Sequence, residues 1–479
     1  MPDLRRVREM LLGAGYTVAG VREALGAVAG AALARDEIVP ALRATRGGSP
    51  VEVLIRLFWL QVAVDARAIA ADDLVAAGLA EMSGGELRAL LRVEPLEAVD
   101  GDGHAGYVVS DPKVRPGSGV VPADDHVVGA GGASGNLARL VVHRAVDNVL
   151  DLGTGCGVQA VHLAGRSPAA HITATDVNPR ALELAAMSFA LSEVDGAELL
   201  QGSLLEPVQG RRFDLIVSNP PFVVAPSGGR RFVYRESGMP GDDFCRGLVE
   251  NAAHYLNEGG YCQLLANWLH VDGVPWEERV GGWVDGCDAW IVQRDVQDPA
   301  EYAELWLRDS CEAGTPEYQA RYAEWLDHFE RRNVTGIGFG WITLRRSERP
   351  AVRIEELRHA VEEPVGAYVR DVLDGLAKAD EFSTGCGRTL AAAPGLVQEQ
   401  IGPPGAEDPE RIVLRQPGRL RRAAGVGTVE AALAGVCDGT LPLAPLLDAI
   451  AELTGMDPDQ VRAHADAVLP ELIADGFFI

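Results

Sequence analysis

A chain of 479 residues with 47% apolar side chains can bury two or three cores, which excludes a disordered protein. Its formal charge is −26, from 69 acidic and 43 basic residues, and this counts against a broad phosphate-binding surface. Small basic clusters remain at Arg230-Arg231 and at Arg419-Arg421-Arg422, and only Lys113 and Lys378 are lysines, a skew that reads as coding bias. Seven cysteines stand singly, with no CxxC pair and no Cys/His cluster, so neither a disulfide frame nor a metal site is expected. No secretory apolar core follows the N-terminus and no uncharged run approaches roughly 18 residues, so the expected location is the cytoplasm, with no membrane partner.

In chain order, residues 1–110 read as a mainly helical N-terminal recognition domain. Val51 to Leu60 is a strongly apolar helix with Pro50 suited to its first turn, and Asp72 to Leu79 is a helix closed by Gly78. Ala89 to Pro95 and Gly106 to Val109 suggest a strand pair around a Gly/Asp-rich turn. This end fits either a winged-helix module or a helical cap, and the cap is preferred. From 126 to 347 short apolar strands alternate with helices, the rhythm of a parallel sheet. Strands are expected at 148–152, 171–176, 197–201, 213–218, 260–266, 288–294 and 336–345, the last as a reversed edge strand. Residues 348–425 read as a connector punctuated by Pro and Gly, and 426–479 as a winged-helix-like C-terminal domain.

Two motifs inside 126–347 carry chemistry. Asp151-Leu152-Gly153-Thr154-Gly155-Cys156-Gly157 follows the buried strand at 148–152 and opens a helix at Val158. Glycines at alternate positions permit a tight turn and a close approach of ligand to backbone. Asp176 ends the next strand, where a carboxylate can accept hydrogen bonds from both hydroxyls of a ribose. The second motif, Asn219-Pro220-Pro221-Phe222, directly follows the strand at 213–218. The Asn219 side-chain oxygen and the Pro220 carbonyl can each accept an N–H from a planar amide or amine, which directs its nitrogen at a methyl donor. Two prolines pre-set the turn, and Phe222 offers an apolar face for a planar group.

These segments, together with Asp176-Val177-Asn178-Pro179-Arg180-Ala181, resemble the three signatures of class I S-adenosylmethionine-dependent methyltransferases. The likeness is to the HemK-type branch, whose members methylate glutamine side chains of peptide release factors, and Val223-Val224-Ala225-Pro226 continues it. It leaves both ends of the chain unexplained. The resemblance implies an α/β, Rossmann-like doubly wound sheet and S-adenosylmethionine as cofactor. It places Asp151 and Gly153 along the methionine part, with Thr154, Gly155 and Gly157 completing the turn, Asp176 at the ribose, and Val177 and Asn178 among the cofactor-binding residues. Where the family usually carries an acidic residue facing adenine, this chain has Gln201-Gly202-Ser203, and Ser203 is the substitute acceptor. Asn219 serves both cofactor and acceptor, and Asn219, Pro220 and Phe222 form the catalytic set. The glycine-bearing loop Tyr234 to Asp243 resembles a segment that closes over the acceptor. Ala130 to Ser134 is expected beside the methionine, while His126, Trp268, Trp341 and Asn267 rank as secondary.

The expected activity is methyl transfer to a planar nitrogen, with a glutamine side chain of a protein as acceptor. A release factor or another basic protein then becomes the partner. Alternatives are the exocyclic amine of adenine or guanine in RNA or DNA, a small-molecule amine, or a non-catalytic, cofactor-sensing DNA-binding protein.

Overall fold

The computed structural model describes residues 4–99, 103–115, 122–226, 235, 238–309, 315–382, 384, 387, 389–405 and 409–479. Contacts divide the chain into two units. The first comprises Met1–Ala138, Arg144–Asp285 and Arg294–Ile342, and the second Arg139–His143, Gly286–Gln293 and Thr343–Ile479.

The central element is an eight-stranded sheet. In chain order its strands are β1 (Asn148–Leu152), β2 (His171–Asp176), β3 (Glu198–Gln201), β4 (Phe213–Ser218), β5 (Leu256–Val271), β6 (Cys287–Gln297), β7 (Val334–Arg346) and β8 (Val352–Glu356). They lie side by side as β8-β6-β7-β5-β4-β1-β2-β3. The pairs β1/β2, β2/β3, β1/β4, β4/β5 and β6/β8 are parallel. Between them run α1 (Val158–Arg166), α2 (Pro179–Ser192), α3 (Asp243–Tyr255) and the pair α4 (Pro299–Asp309) and α5 (Tyr318–Glu330). Val149, Leu150, Leu215, Ile216 and Val217 are buried, as expected where helices cover both faces of a parallel sheet.

Strand order reverses between β1 and β4: the chain moves outward through β2 and β3 on one side, then through β4 and β5 on the other. Such a switch point opens a crevice at the carboxyl ends of the two strands. Here Leu152 is opposite Ser218, and the Ser218 hydroxyl donates to the Leu152 carbonyl at 2.8 Å. Both sequence motifs therefore leave the sheet at one point.

Two expectations about the sheet are corrected. Residues 336–345 are not at an edge: β7 lies between β5 and β6, and the edge is β8, inside the stretch read as connector. That stretch also carries a helix, Gly366–Asp380, and a three-stranded sheet of Val397–Ile401, Arg411–Arg415 and Ala423–Val426. Strand β8 was hidden because it is charged. Its Glu355 accepts from the Trp290 indole at 2.6 Å and pairs with Arg353 and Arg422, so the strand lies flush without an apolar alternation. Two members of the basic cluster at 419–422 are likewise paired within the chain, Arg422 by Glu355 and Asp475 and Arg419 by Asp371, while Arg421 is exposed. Arg230-Arg231 lie outside the described residues.

The N-terminal segment has helices at Arg5–Gly13, Val18–Leu33, Val39–Ala44, Pro50–Leu54 and Ala71–Ala76, and also a three-stranded sheet of Val64–Asp65, Ala80–Ser83 and Glu86–Ala89, which a purely helical cap lacks. Its hairpin, Arg92–Glu97 with His104–Ser110, lies against α2. The Val109 N–H donates to Ser188 Oγ at 2.8 Å and the Tyr107 N–H to Ser192 Oγ at 2.9 Å, so α2 satisfies the open edge of the hairpin. At Gly106 a Cβ would stand 2.4 Å from Ser192 Oγ, which restricts that position to glycine.

In the second unit, helices Thr428–Val436, Leu443–Thr454 and Pro458–Ala474 enclose a core of Leu433, Leu447, Val461, Leu469, Phe477 and Phe478. Strands Thr389–Ala391 and Asp438–Pro442 pair beside them.

Candidate active site

A cavity of about 370 Å³ opens at the switch point. Its wall includes Asp151, Gly153, Thr154, Gly155, Asp176, Val177, Asn178, Ser203, Asn219 and Pro220. The turn after β1 is held by main-chain bonds: the N–H groups of Gly153 and Thr154 both donate to the Thr175 carbonyl at 2.9 Å. Gly153 and Gly155 have φ of +71° and +55°, with open space where a Cβ would be, so the backbone itself faces the cavity. Gly157 does not line the cavity. Its φ is +88°, and a Cβ there would lie 2.7 Å from Phe189 Cε1, so this glycine allows α1 to approach α2.

Asp151 is 1% exposed, and its Oδ2 accepts from Thr154 Oγ1 at 2.7 Å and from the Ala160 N–H at 3.1 Å. Burial pushes its pKa up to about 6, against the pull of those two donors. Asp176 accepts from the Gly155 N–H at 2.9 Å through Oδ2 and from the Asn178 N–H at 2.9 Å through Oδ1, and burial raises its pKa too. Each carboxylate oxygen of Asp176 retains acceptor capacity toward the cavity, which is what a vicinal diol requires. The Asn178 side chain is committed elsewhere. Its Oδ1 caps α2 by accepting from the Arg180 N–H at 3.0 Å, and its Nδ2 donates to the Asp125 carbonyl at 2.8 Å. Val177 is 53% exposed on the cavity wall and offers an apolar surface.

The acceptor turn divides in two. Asn219 donates through Nδ2 to Ser134 Oγ at 3.4 Å, while its Oδ1 is buried with no hydrogen-bond partner among the described residues. The Pro220 carbonyl accepts from the Phe222 N–H at 2.8 Å, which leaves one of its lone pairs for a further donor. Phe222 is not on the cavity wall. Its half-buried ring meets Trp306 of α4 edge-on, with centroids 6.5 Å apart, and packs on the cluster of Val223, Tyr302, Trp325 and Phe329. Tyr234, Glu236 and Ser237 of the expected closing loop lie outside the described residues. The loop's flanks are anchored, Arg235 by the Trp306 carbonyl at 2.9 Å and Asp242 by a bidentate pair with Arg279.

Several contributors escaped the sequence reading. Phe244 and Gln159 line the cavity, and Gln159 Nε2 donates to the Ser134 carbonyl at 2.8 Å. The N-terminal hairpin also reaches this region. Buried Glu94 sits so close beneath Gly129, another cavity residue, that a Cβ on Gly129 would be 2.0 Å from Glu94 Oε2. The secondary candidates separate. His126 lines the cavity, whereas Trp268 is fully buried and stacks on Trp276 at 5.5 Å. Trp341 is buried, and buried Asn267 donates to the Tyr302 hydroxyl at 3.0 Å.

The residues present fit S-adenosylmethionine: a glycine turn exposing backbone, a carboxylate able to accept from a diol, and apolar walls. Comparison with known proteins points to a methyltransferase. Residues 132–270 match the family described as methyltransferase small domain, and residues 13–90 match a domain of unknown function (DUF7059). The chain is similar to a release factor glutamine methyltransferase of Deinococcus radiodurans, with 39% identity over 145 residues, covering 28% of this chain and 51% of that protein. It is also similar to a ribosomal RNA small subunit methyltransferase C of Citrobacter koseri, with 30% identity over 177 residues, covering 37% of this chain and 46% of that one. The chain thus spans about half the length of the curated relatives it matches. Among solved structures, the T. thermophilus 16S rRNA N2 G1207 methyltransferase in complex with AdoMet and guanosine aligns at 20% identity and a TM-score of 0.26, over 46% of this chain and 58% of that one. The glycine turn, Asp176 and the Asn-Pro-Pro-Phe turn gather at the reversal of this strand order within residues 132–270, the segment that matches the methyltransferase small domain, and this segment is a class I S-adenosylmethionine-dependent methyltransferase domain.

Proposed function

We propose that this protein is an N-methyltransferase that acts on a planar amide nitrogen, with the glutamine side chain of a protein as its acceptor. The observation that carries the reading is the Asn219 Oδ1, a buried acceptor with no partner among the described residues, on a residue that lines the cavity. A lone buried acceptor is costly, and an entering N–H donor would relieve that cost. Bound S-adenosylmethionine supplies an electrophilic sulfonium methyl. The chain's task is then orientation. Asn219 Oδ1 and the free lone pair of the Pro220 carbonyl each take one hydrogen of a primary amide, which localises electron density on nitrogen and fixes its line of approach. Asp151, Asp176 and the glycine turn hold the cofactor at its two polar ends. No strong base is needed, because the proton can leave to water after transfer.

Charge favours a protein over nucleic acid. On the described residues from Asp298 to Arg331, around the aromatic cluster that carries Phe222, exposed Asp298, Glu301, Asp309, Glu317, Asp327 and Glu330 outnumber exposed Arg308 and Arg331. A phosphate backbone would be repelled there and a basic polypeptide attracted. The second reading, an exocyclic amine of ribosomal RNA, draws support from the relatives named for that substrate. The test is transfer of a tritiated methyl from S-adenosylmethionine to a purified bacterial release factor or to small-subunit ribosomal RNA. Asn219→Ala should keep cofactor affinity and lower turnover by about 100-fold or more. Near-normal turnover in that variant would refute the assigned role.

A further inference from the structure

Helices α4 and α5 lie between β6 and β7, and α4 is bonded to the chain directly behind the acceptor turn. Val223 and Val224 follow Phe222, and neither amide is satisfied within the turn. The Val223 N–H donates to the Arg235 carbonyl at 3.0 Å, and the Val224 N–H to the Tyr302 hydroxyl at 3.0 Å. Asn267 of β5 donates its Nδ2 to the same hydroxyl at 3.0 Å. Both anchors lead to α4, because Arg235 is itself held by the Trp306 carbonyl at 2.9 Å and by Asp309 at 3.5 Å. The ring of Tyr302 is 0% exposed, packed among Trp306, Trp325, Phe329 and Phe339 at centroid separations of 5.5–6.2 Å. Burial drives the phenol's pKa well up, so the group is a neutral hydrogen-bonding hub across the whole working range.

The turn has few bonds of its own. Inside it there is the Phe222 N–H to Pro220 carbonyl bond, and the Asn219 amide reaches Ser134 only at 3.4 Å. Strand β4 fixes the leading end of the turn at Ser218, and its trailing end is set by what grips the two residues after it. We propose that Tyr302 is a positioning residue for methyl transfer: its hydroxyl ties α4 and β5 to Val224 and thereby sets Asn219 and Pro220 at the cavity edge. Tyr302 is absent from the cavity wall, so it acts through the turn and touches neither cofactor nor acceptor. The inference rests on the reading given under Proposed function. It adds that helix α4 is part of the catalytic geometry, because a load on α4 from a docked protein would reach the acceptor turn through the Tyr302 hydroxyl and Arg235.

The test is Tyr302→Phe, which keeps the ring in its cluster and removes only the hydroxyl. With tritiated S-adenosylmethionine and a purified bacterial release factor, kcat should fall about tenfold, while KM for the factor and calorimetric cofactor affinity stay within about twofold. Amide exchange at Val224 should accelerate by about tenfold or more, with the glycine turn at 153–157 unchanged. An unchanged kcat, or a loss confined to KM or to cofactor affinity, would overturn the proposal. Should the wild-type chain label no release factor, the functional reading fails separately, and Val224 exchange still decides: an unaltered rate in Tyr302→Phe overturns the positioning role and a faster one upholds the tie.

Discussion

Replacing Asp151 by Asn should make the cofactor-free protein more stable at neutral pH while impairing cofactor binding. The carboxylate is 1% exposed and its pKa is raised from the ordinary 3.8 to about 6. A raised carboxyl means that, between those two values, the folded chain holds a proton the unfolded chain has released. Stability therefore falls as pH climbs through that window and stays reduced above it. A shift of about two units corresponds to about 3 kcal/mol at neutral pH. Asn keeps an oxygen for Thr154 Oγ1 and the Ala160 N–H but adds an amide NH₂ that needs an acceptor, which returns about 1–2 kcal/mol of the gain. The net expectation is about 1–2 kcal/mol of added stability at pH 7.5, turning into a loss of about 1 kcal/mol near pH 4, where the native carboxyl is protonated as well and only the cost of the amide NH₂ remains. Urea unfolding followed by tryptophan fluorescence at the two pH values reads this directly. If Asp151 holds the cofactor's positive end as proposed, S-adenosylmethionine should raise the midpoint of the wild type far more than that of Asp151→Asn. A variant less stable than wild type at pH 7.5, or one stabilised equally by cofactor, would refute the reasoning.

Three further outcomes follow from single contacts. Asp176→Ala removes the acceptor for Gly155 N–H, Asn178 N–H and a ribose diol, so calorimetry should show cofactor affinity reduced by about 10- to 100-fold, and unchanged affinity would contradict the ribose assignment. Gly157→Ala combines a left-handed φ of +88° with a contact of 2.7 Å to Phe189, and thermal unfolding should register a loss of about 1–3 kcal/mol. Gly129→Ala drives a methyl against the buried Glu94 carboxylate. Cofactor affinity should fall by about tenfold or more as that stretch of the cavity wall shifts, whereas an unaffected titration would mean that the hairpin does not support the site.

The parts of the fold that could be read in the sequence are those where a residue type is forced. Gly153 and Gly155 need left-handed backbone, a strand must end before Asn219, and Asp176 closes a buried strand, so these marks survive in the order of letters alone. What stayed hidden was decided by distant partners. Asn178 sits beside the ribose-side carboxylate in sequence, but its side chain is spent on the α2 cap and on Asp125. Phe222 adjoins the acceptor turn, yet the inserted helices α4 and α5 draw its ring into their aromatic cluster. Strand β8 carries Arg353 and Glu355 inside an ion-pair network, which erases the hydrophobic alternation by which strands are recognised. Phe244 reaches the cavity, and Glu94 backs its wall at Gly129, from elements that no local pattern links to it.

The claim on which the rest depends is that Asn219 and Pro220 present two oxygens to an entering amide at a cofactor cavity. The most direct measurement is peptide mass spectrometry of a purified release factor incubated with the protein and methyl-labelled S-adenosylmethionine, alongside the same incubation with Asn219→Ala. The account predicts one labelled methyl on a glutamine side-chain nitrogen with the wild-type protein and none above background with the variant. Label carried instead on oxygen or on RNA, or equal glutamine labelling by both proteins, would contradict it.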